Sequence, residues 1–108
     1  MRCSRNDLVL LPIPFTDLSS NKVRPAVVVG LGSFESDLFV APVTSRMFQT
    51  DLILRDWAQA GLNVQSGVKG QIATVDRSLI RQVLGPLSTS DTARLDLKLR
   101  EWLALWSS

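Results

Sequence analysis

An arginine and a pair of hydroxyl residues stand at the ends of two apolar runs in this sequence. Arg24 comes directly before Pro25, which biases the arginine backbone toward an extended conformation and projects its side chain from the start of a strand. Thr44 and Ser45 end the run VAPVTS. If the two runs are antiparallel neighbours, the start of one lies beside the end of the other. We therefore expect Arg24, Thr44 and Ser45 to share one edge of a sheet.

A guanidinium beside a hydroxyl group suits a phosphate. The arginine offers a fork of charged donors to phosphoryl oxygens, and a threonine hydroxyl adds a neutral hydrogen bond or orients an attacking or leaving oxygen. A second interpretation stays open on spacing alone. In it, Arg24 pairs with Asp7 or Asp17 at the surface, and Thr44 and Ser45 close a turn.

An aromatic side chain stands near the predicted cationic edge. Phe15 lies between Pro14 and Thr16, where a strand passes into a loop. A partly exposed aromatic ring beside cations is a stacking platform for single-stranded bases. The alternative is that the ring plugs the end of the folded sheet.

Four charged residues near predicted turns are ambiguous. Asp17, Lys22 and Arg46 fit either a solvated surface or contacts to a polyanion. Asp76 lies in the apolar stretch TVDRS. It either meets the cationic edge, where it bonds a base or a ribose or acts as a general base with a raised pKa, or it is a turn residue at a strand end.

The chain has no histidine and a single cysteine, Cys3. The lack of histidine removes the usual general acid or base, the commonest transition-metal ligand and any Ser-His-Asp arrangement. We therefore expect neither a metal site nor a cofactor. Cys3 cannot form an internal disulfide, which favours a reducing compartment such as the cytoplasm.

Composition sets the remaining bounds. The 108 residues are 45% apolar and 20% charged, which predicts one globular domain over residues 1–108. The formal charge of +2 permits a local basic patch without requiring one. No apolar run approaches the ~18 residues of a membrane span, so we expect no membrane partner.

Short apolar runs separated by turn residues predict six strands. The strands are expected at residues 7–13, 25–32, 37–45, 51–57, 69–80 and 81–87, with residues 59–68 as a connection. Closely spaced strands of this kind predict a small, strongly bent sheet or barrel. The fold class is therefore mainly β.

A helix is predicted to follow the last strand. Ser88 and Asp91 have the spacing of a variant capping box. An apolar stripe at helical spacing comes next, and Asp96 and Arg100 form an i,i+4 pair on the polar face. The stripe consists of Leu95, Leu99, Trp102, Leu103 and Trp106.

The order of several motifs resembles the PemK/MazF-like toxin family over nearly the whole chain. The matching segments are NDLVLLP, PFTD, KVRPAVVV, VAPVTS, AGL-x3-S at 60–66, TVDRSLI and LGPLS. The resemblance implies a CcdB/PemK-type fold, which is a small SH3-like β-barrel with a C-terminal helix and is usually homodimeric.

The resemblance also implies a function, that of a toxin of a type II toxin-antitoxin system. Such toxins include metal-independent endoribonucleases that cut single-stranded RNA, mRNA included, by attack of the ribose 2′-hydroxyl on the adjacent phosphate. The implied partners are this RNA, a cognate antitoxin and a second copy of the chain, with DNA bound only through the antitoxin complex. The catalytic arginine and threonine of the family fall on Arg24 and Thr44. The predicted RNA-binding residues are Phe15, Thr16, Asp17, Lys22, Ser45, Arg46 and Asp76.

Some positions depart from the family pattern. Asn6 replaces a glycine, and Ala73 replaces an arginine found in some members. Two alternative functions therefore stay open. One is a non-nuclease toxin that binds a protein target, as the CcdB branch does through its C-terminal helix. The other is a catalytically inactive RNA-binding homologue.

Overall fold

The computed structural model describes residues 2–12 and 22–105. Within these residues the strands are β1 (Asp7–Pro12), β2 (Val23–Leu31), β3 (Asp37–Thr44), β4 (Leu52–Ile53), β5 (Gly67–Val68), β6 (Ala73–Asp76) and β7 (Gln82–Pro86). Two 3-10 helices, η1 (Met47–Gln49) and η2 (Arg77–Leu79), and one α-helix, α1 (Thr89–Trp102), complete the described elements. The prediction of a mainly β chain with a C-terminal helix is confirmed.

The strands form one antiparallel sheet in the order β4, β5, β3, β2, β1, β7. Strand β6 also pairs with β3, so that β6 and β5 share the edge of β3 that faces away from β2. The described strands do not close into a complete barrel. The prediction of a bent sheet is right, and the word barrel describes it only loosely.

Two predicted strands are much shorter than expected. Only Leu52–Ile53 of the segment 51–57 and only Ala73–Asp76 of the segment 69–80 are strands. The chain leaves the sheet after Ile53 because the backbone N–H groups of Arg55 and Asp56 donate to the carboxylate of Asp91, at 3.1 and 2.8 Å, instead of to a neighbouring strand. The predicted connection at 59–68 contributes strand β5.

The valine-rich strand β2 is buried on both faces. Val27 and Val29 belong to a core cluster that includes Leu95 and Leu99 of the helix. Ala26 and Val28 pack in a second cluster with side chains of β1, β3 and β6. A core cluster therefore packs against each face of the central strands, and this packing holds their ends in place.

Helix α1 begins as the sequence predicts. The hydroxyl of Ser88 accepts a hydrogen bond of 3.1 Å from the backbone N–H of Asp91. Leu95 and Leu99 are buried, and Trp102 packs against the same cluster. Leu103 lies beyond the helix end and is exposed.

Other expectations for the helix have different outcomes. Asp96 forms an ion pair with Arg5, and not the predicted pair with Arg100. Trp106 lies outside the described residues. In the part of the chain that the structure describes, no helix has both the length and the apolar character that crossing a membrane requires.

Candidate functional site

Strand pairing brings Arg24 and Thr44 to one edge of the sheet. Ala26 of β2 stands opposite Pro42 of β3. Continuing that antiparallel register by two residues brings Arg24 level with Thr44. On their outer sides, Arg24 pairs with Leu11 of β1 and Thr44 pairs with Gly67 of β5. Each residue is therefore held in the sheet by the strand on its outer side.

Asp7 does not neutralise Arg24. Arg24 stands opposite Leu11, whereas Asp7 lies at the other end of β1, four residues or about 13 Å away. The Asp7 carboxylate instead accepts a hydrogen bond of 2.8 Å from the backbone N–H of Ser4. Asp17, the other partner considered for Arg24, lies outside the described residues.

Arg24 and Thr44 line a cleft of about 870 Å³. Its described lining includes four cationic side chains and no carboxylate; the cations are Lys22, Arg24, Arg46 and Lys69. Like charges gathered along a concave wall raise the local concentration of anions. The weak overall charge of the chain therefore conceals a strongly basic site, which we call the basic cleft.

Carboxamide side chains form a second group along the basic cleft. These residues are Gln49, Asn63, Gln71 and Gln82. Each carries two donors and an acceptor, so it can bond the edge of an unpaired base. Apolar side chains from several strands, such as Leu10 and Val43, lie among them. The cleft thus combines cations that can bind the phosphates of a nucleic acid with carboxamides that can hydrogen-bond its bases.

Thr44 closes a turn as well as facing the cleft. Its hydroxyl oxygen accepts a hydrogen bond of 3.1 Å from the backbone N–H of Arg46. A hydroxyl that accepts one bond can still donate its proton to another group. The turn interpretation and the phosphate interpretation of Thr44 are therefore compatible, since this bond orients the hydroxyl.

The structure brings together five of the residues predicted for the site: Lys22, Arg24, Thr44, Ser45 and Arg46 all line the basic cleft. The predicted residues Phe15, Thr16 and Asp17 lie outside the described residues. Over residues 2–12 and 22–105, no group of three or more Asp, Glu, Cys or His side chains is arranged to hold a metal ion.

Asp76 is not near these residues. It stands opposite Asp37 at the start of β3, whereas Thr44 ends that strand, seven residues or about 23 Å away. Asp76 caps η2, where its carboxylate accepts a bond of 2.8 Å from the backbone N–H of Ser78. Hydrogen bonds from the side chain and backbone of Ser78 hold the pKa of Asp76 below its usual range. The expectation of a cleft residue or a base with a raised pKa is corrected to a turn residue.

Ala73 also lies outside the basic cleft. It begins β6 opposite Val40 and lines a second cavity, of about 720 Å³, together with residues at the end of α1. Gln71, two residues earlier, lines the basic cleft. The second arginine of some relatives thus has no counterpart in the cleft at position 73.

Sequence reasoning missed Lys69 and the carboxamides as members of the site. Lys69 follows β5, and its backbone N–H bonds the carbonyl of Pro42 on β3. Asn63 lies in the segment 59–68, which forms part of the cleft wall. No local pattern reveals this placement, because it depends on the two-residue pairing of β5 with the end of β3.

Gly67 supports the cleft by its lack of a side chain. A Cβ atom at this position would lie 2.5 Å from the methyl carbon of Thr50 and 2.7 Å from the carbonyl oxygen of Leu52.

We expect Gly67→Ala to lower the free energy of unfolding by about 1–3 kcal/mol, because backbone atoms must shift to relieve this overlap. Chemical denaturation measures the change. Gly30→Ala is the control, with a smaller expected loss, since its Cβ would meet only the side chain of Phe39, at 3.2 Å. Equal losses in the two variants would contradict the argument.

Comparisons with known proteins agree with this geometry. A sequence model of the PemK-like, MazF-like toxins of type II toxin-antitoxin systems matches residues 4–103. One similar solved structure is an endoribonuclease in complex with its cognate antitoxin from Mycobacterial species. It shares 13% sequence identity and a TM-score of 0.70, over 98% of this chain and 97% of that chain, which shows a common fold. A comparison with curated protein sequences gives no match.

Proposed function

The chain belongs to the PemK-like, MazF-like toxins of type II toxin-antitoxin systems, and from that premise we propose that it is an endoribonuclease that cuts single-stranded RNA without a metal ion. The observation that carries the proposal is the basic cleft. Arg24 and Thr44 line it together with three further cations, and its described lining has no carboxylate. Such a surface attracts a phosphodiester chain and holds one phosphate between a guanidinium and a hydroxyl.

The proposed reaction is an internal transesterification. The ribose 2′-oxygen attacks the adjacent phosphorus and loses its proton, while the bond from phosphorus to the 5′-oxygen breaks and that oxygen gains a proton. The products are a 2′,3′-cyclic phosphate and a 5′-hydroxyl. The guanidinium of Arg24 neutralises the charge that builds on the phosphoryl oxygens, which is commonly the largest catalytic contribution. Its role in this step is electrostatic, and the proton that the 5′-oxygen gains comes from another donor.

Thr44 has a positioning role toward the phosphate in this proposal. Its oxygen is oriented by the backbone N–H of Arg46, so its own proton can be directed to a phosphoryl oxygen or to the 2′-oxygen. The carboxamides of the cleft would bond base edges, which are accessible only in unpaired RNA. Single-stranded RNA is therefore the preferred substrate.

The test is cleavage in the presence of a chelator. Purified protein is incubated with single-stranded RNA of mixed sequence in EDTA, and the ends of the products are analysed. We expect cuts that leave a 2′,3′-cyclic phosphate. The matched control is the same RNA with every 2′-hydroxyl methylated, which must stay intact. Failure to cut the unmodified RNA, or cleavage of the methylated control, would refute the proposed mechanism.

Salt dependence tests the basic cleft separately from catalysis. With four phosphates neutralised, the logarithm of the RNA association constant should fall with the logarithm of salt concentration with a slope of about −3. Lys69→Ala should reduce the slope to about −2. Fluorescence anisotropy with the methylated RNA gives both values. Lys98→Ala is the control, because Lys98 lies on α1 near Glu101, at 3.4 Å, and should leave the slope unchanged. An unchanged slope for Lys69→Ala would remove Lys69 from the RNA-binding surface.

We further propose a cognate antitoxin and a second copy of this chain as protein partners. An antitoxin that covers the basic cleft would need to present carboxylates or other acceptors to its four cations. Such a segment would compete directly with RNA for Arg24.

The rival function is a toxin that binds a protein target through its C-terminal helix. Trp102 is the large aromatic residue available for such contacts at the described end of α1. It packs against the core, and its ring lies over Gly70, where an added Cβ would be 3.0 Å away. Because this tryptophan is engaged within the chain, the nuclease is the better supported function.

A further inference from the structure

An exposed phenylalanine stands beside the basic cleft. Phe48 is the middle residue of η1 and is 85% exposed. The next residue, Gln49, and Arg46, two residues before the ring, both line the cleft, and Thr44 lies four residues upstream. Four residues span at most about 14 Å, so the ring lies within reach of a nucleotide close to the bond that Thr44 faces.

The short helix that carries this ring is closed by hydrogen bonds within its own turn and packs against β5 through Thr50. The backbone N–H of Gln49 donates to the carbonyl of Arg46 at 2.9 Å, and the Thr50 hydroxyl donates to the carbonyl of Met47 at 3.0 Å. The methyl group of Thr50 lies directly over Gly67, which is the strand partner of Thr44. A ring on such a support is pre-positioned and loses little backbone freedom when a ligand binds.

We propose that Phe48 is a base-stacking residue, against which an unpaired base near the scissile phosphate packs when RNA fills the basic cleft. This inference rests on the proposed nuclease function and deepens it. An aromatic face binds any base by stacking, and a cation beside the ring holds the adjoining backbone. Phe48 and Arg46 supply these two contacts from one turn of chain.

A protein partner is the competing explanation for an exposed phenylalanine. Protein-binding patches are contiguous apolar areas in which an aromatic anchor is surrounded by other buried contacts. Phe48 is instead followed by Gln49 and preceded, beyond Met47, by Arg46, and these two polar residues belong to the cleft. The chemistry around the ring therefore fits a nucleotide better than an apolar protein surface.

The experiment measures binding and cleavage in parallel. The binding probe is a single-stranded RNA pool of mixed sequence with all 2′-hydroxyls methylated, and the cleavage substrate is the same pool unmodified. We expect Phe48→Ala to raise the Kd about 5- to 150-fold, the range that loss of one base–aromatic contact gives. The kcat should change much less, because the ring does not touch the reacting atoms. Phe48→Trp should restore binding.

The matched control is Phe34→Ala. Phe34 is also strongly exposed, at 74%, but it lies in the turn before β3, at the end of that strand opposite to Thr44. Its replacement should leave the Kd unchanged. Light scattering of each variant checks the size of the particle in solution.

Three outcomes would overturn the inference, and they are distinguishable. If the wild-type protein cuts RNA and Phe48→Ala binds it equally well, Phe48 is not a stacking residue although the nuclease proposal stands. If Phe48→Ala changes the particle size, the ring contacts protein. If the wild-type protein neither binds nor cuts the RNA, the proposed function fails, and the inference with it.

Discussion

Arg24→Ala is expected to lower the rate of RNA cleavage by at least about 100- to 1000-fold while the fold stays intact. The expected loss follows from removing a preorganised donor from the phosphate on which charge develops, and single donors of this kind contribute that much. Arg24 is exposed at the start of β2, so the substitution opens no cavity in the core. Single-turnover cleavage rates together with thermal unfolding curves measure the two effects separately.

Two further variants make this prediction specific. Arg24→Lys keeps the charge but loses the planar fork of donors, so we expect a rate between those of the alanine variant and the wild type. Arg55→Ala removes a cation that is exposed and does not line the basic cleft, and it should leave the rate unchanged. A folded Arg24→Ala protein that cleaves RNA at the wild-type rate would show that Arg24 is not the catalytic arginine.

Asp91→Ala should destabilise the protein more than any surface substitution, by about 2–4 kcal/mol in the free energy of unfolding. The Asp91 side chain is 1% exposed and accepts hydrogen bonds from the backbone N–H groups of Arg55 and Asp56 and from the guanidinium of Arg94. Its removal leaves these donors without their acceptor in a largely buried place, and each such group costs about 1–3 kcal/mol. Denaturant titration measures the loss, and the melting temperature should fall by about 10 °C or more.

Asp96→Ala provides the comparison on the same helix. Asp96 pairs with Arg5, and both side chains are at least 40% exposed, so loss of this pair should cost less than about 1 kcal/mol. Asp91→Asn, which keeps one acceptor oxygen, should fall between the two alanine variants. A cost for Asp91→Ala no larger than that for Asp96→Ala would mean that water replaces the lost acceptor.

Much of the fold could be predicted because its long elements carry local patterns. The valines of β2 and the spacing of Leu95 and Leu99 in α1 reflect burial on a strand and on one face of a helix. Strand β5 could not be predicted, because two residues carry no periodicity and Gly67 is usually a turn signal. Its glycine is required by the side chain of Thr50 packed against it, which is a contact between segments 17 residues apart.

The candidate site likewise contains some residues that the sequence predicts and others that it does not. The positions of Arg24 and Thr44 follow from a proline and from a strand end, and antiparallel pairing then joins them. Lys69 gives no comparable signal, since its place beside the cleft depends on tertiary pairing. Asp76 lies far from the cleft because its strand runs beside the start of β3, and no local pattern in the sequence indicates which part of β3 is its partner.

The pairing of β3 has a consequence for how such a site can be turned off. One edge of β3 is hydrogen-bonded to β2 as far as Pro42, and the other edge is shared by β6 and β5, so that β3 is a central strand of the sheet and Thr44 pairs with Gly67 at its end. Segments of this kind exchange their amide hydrogens only when most of the structure opens, whereas singly attached turns open locally. We therefore expect the body of β3, which supports the proposed site, not to switch it by fraying. Control of this toxin must come from occupying the cleft, or from unfolding and degrading the whole chain.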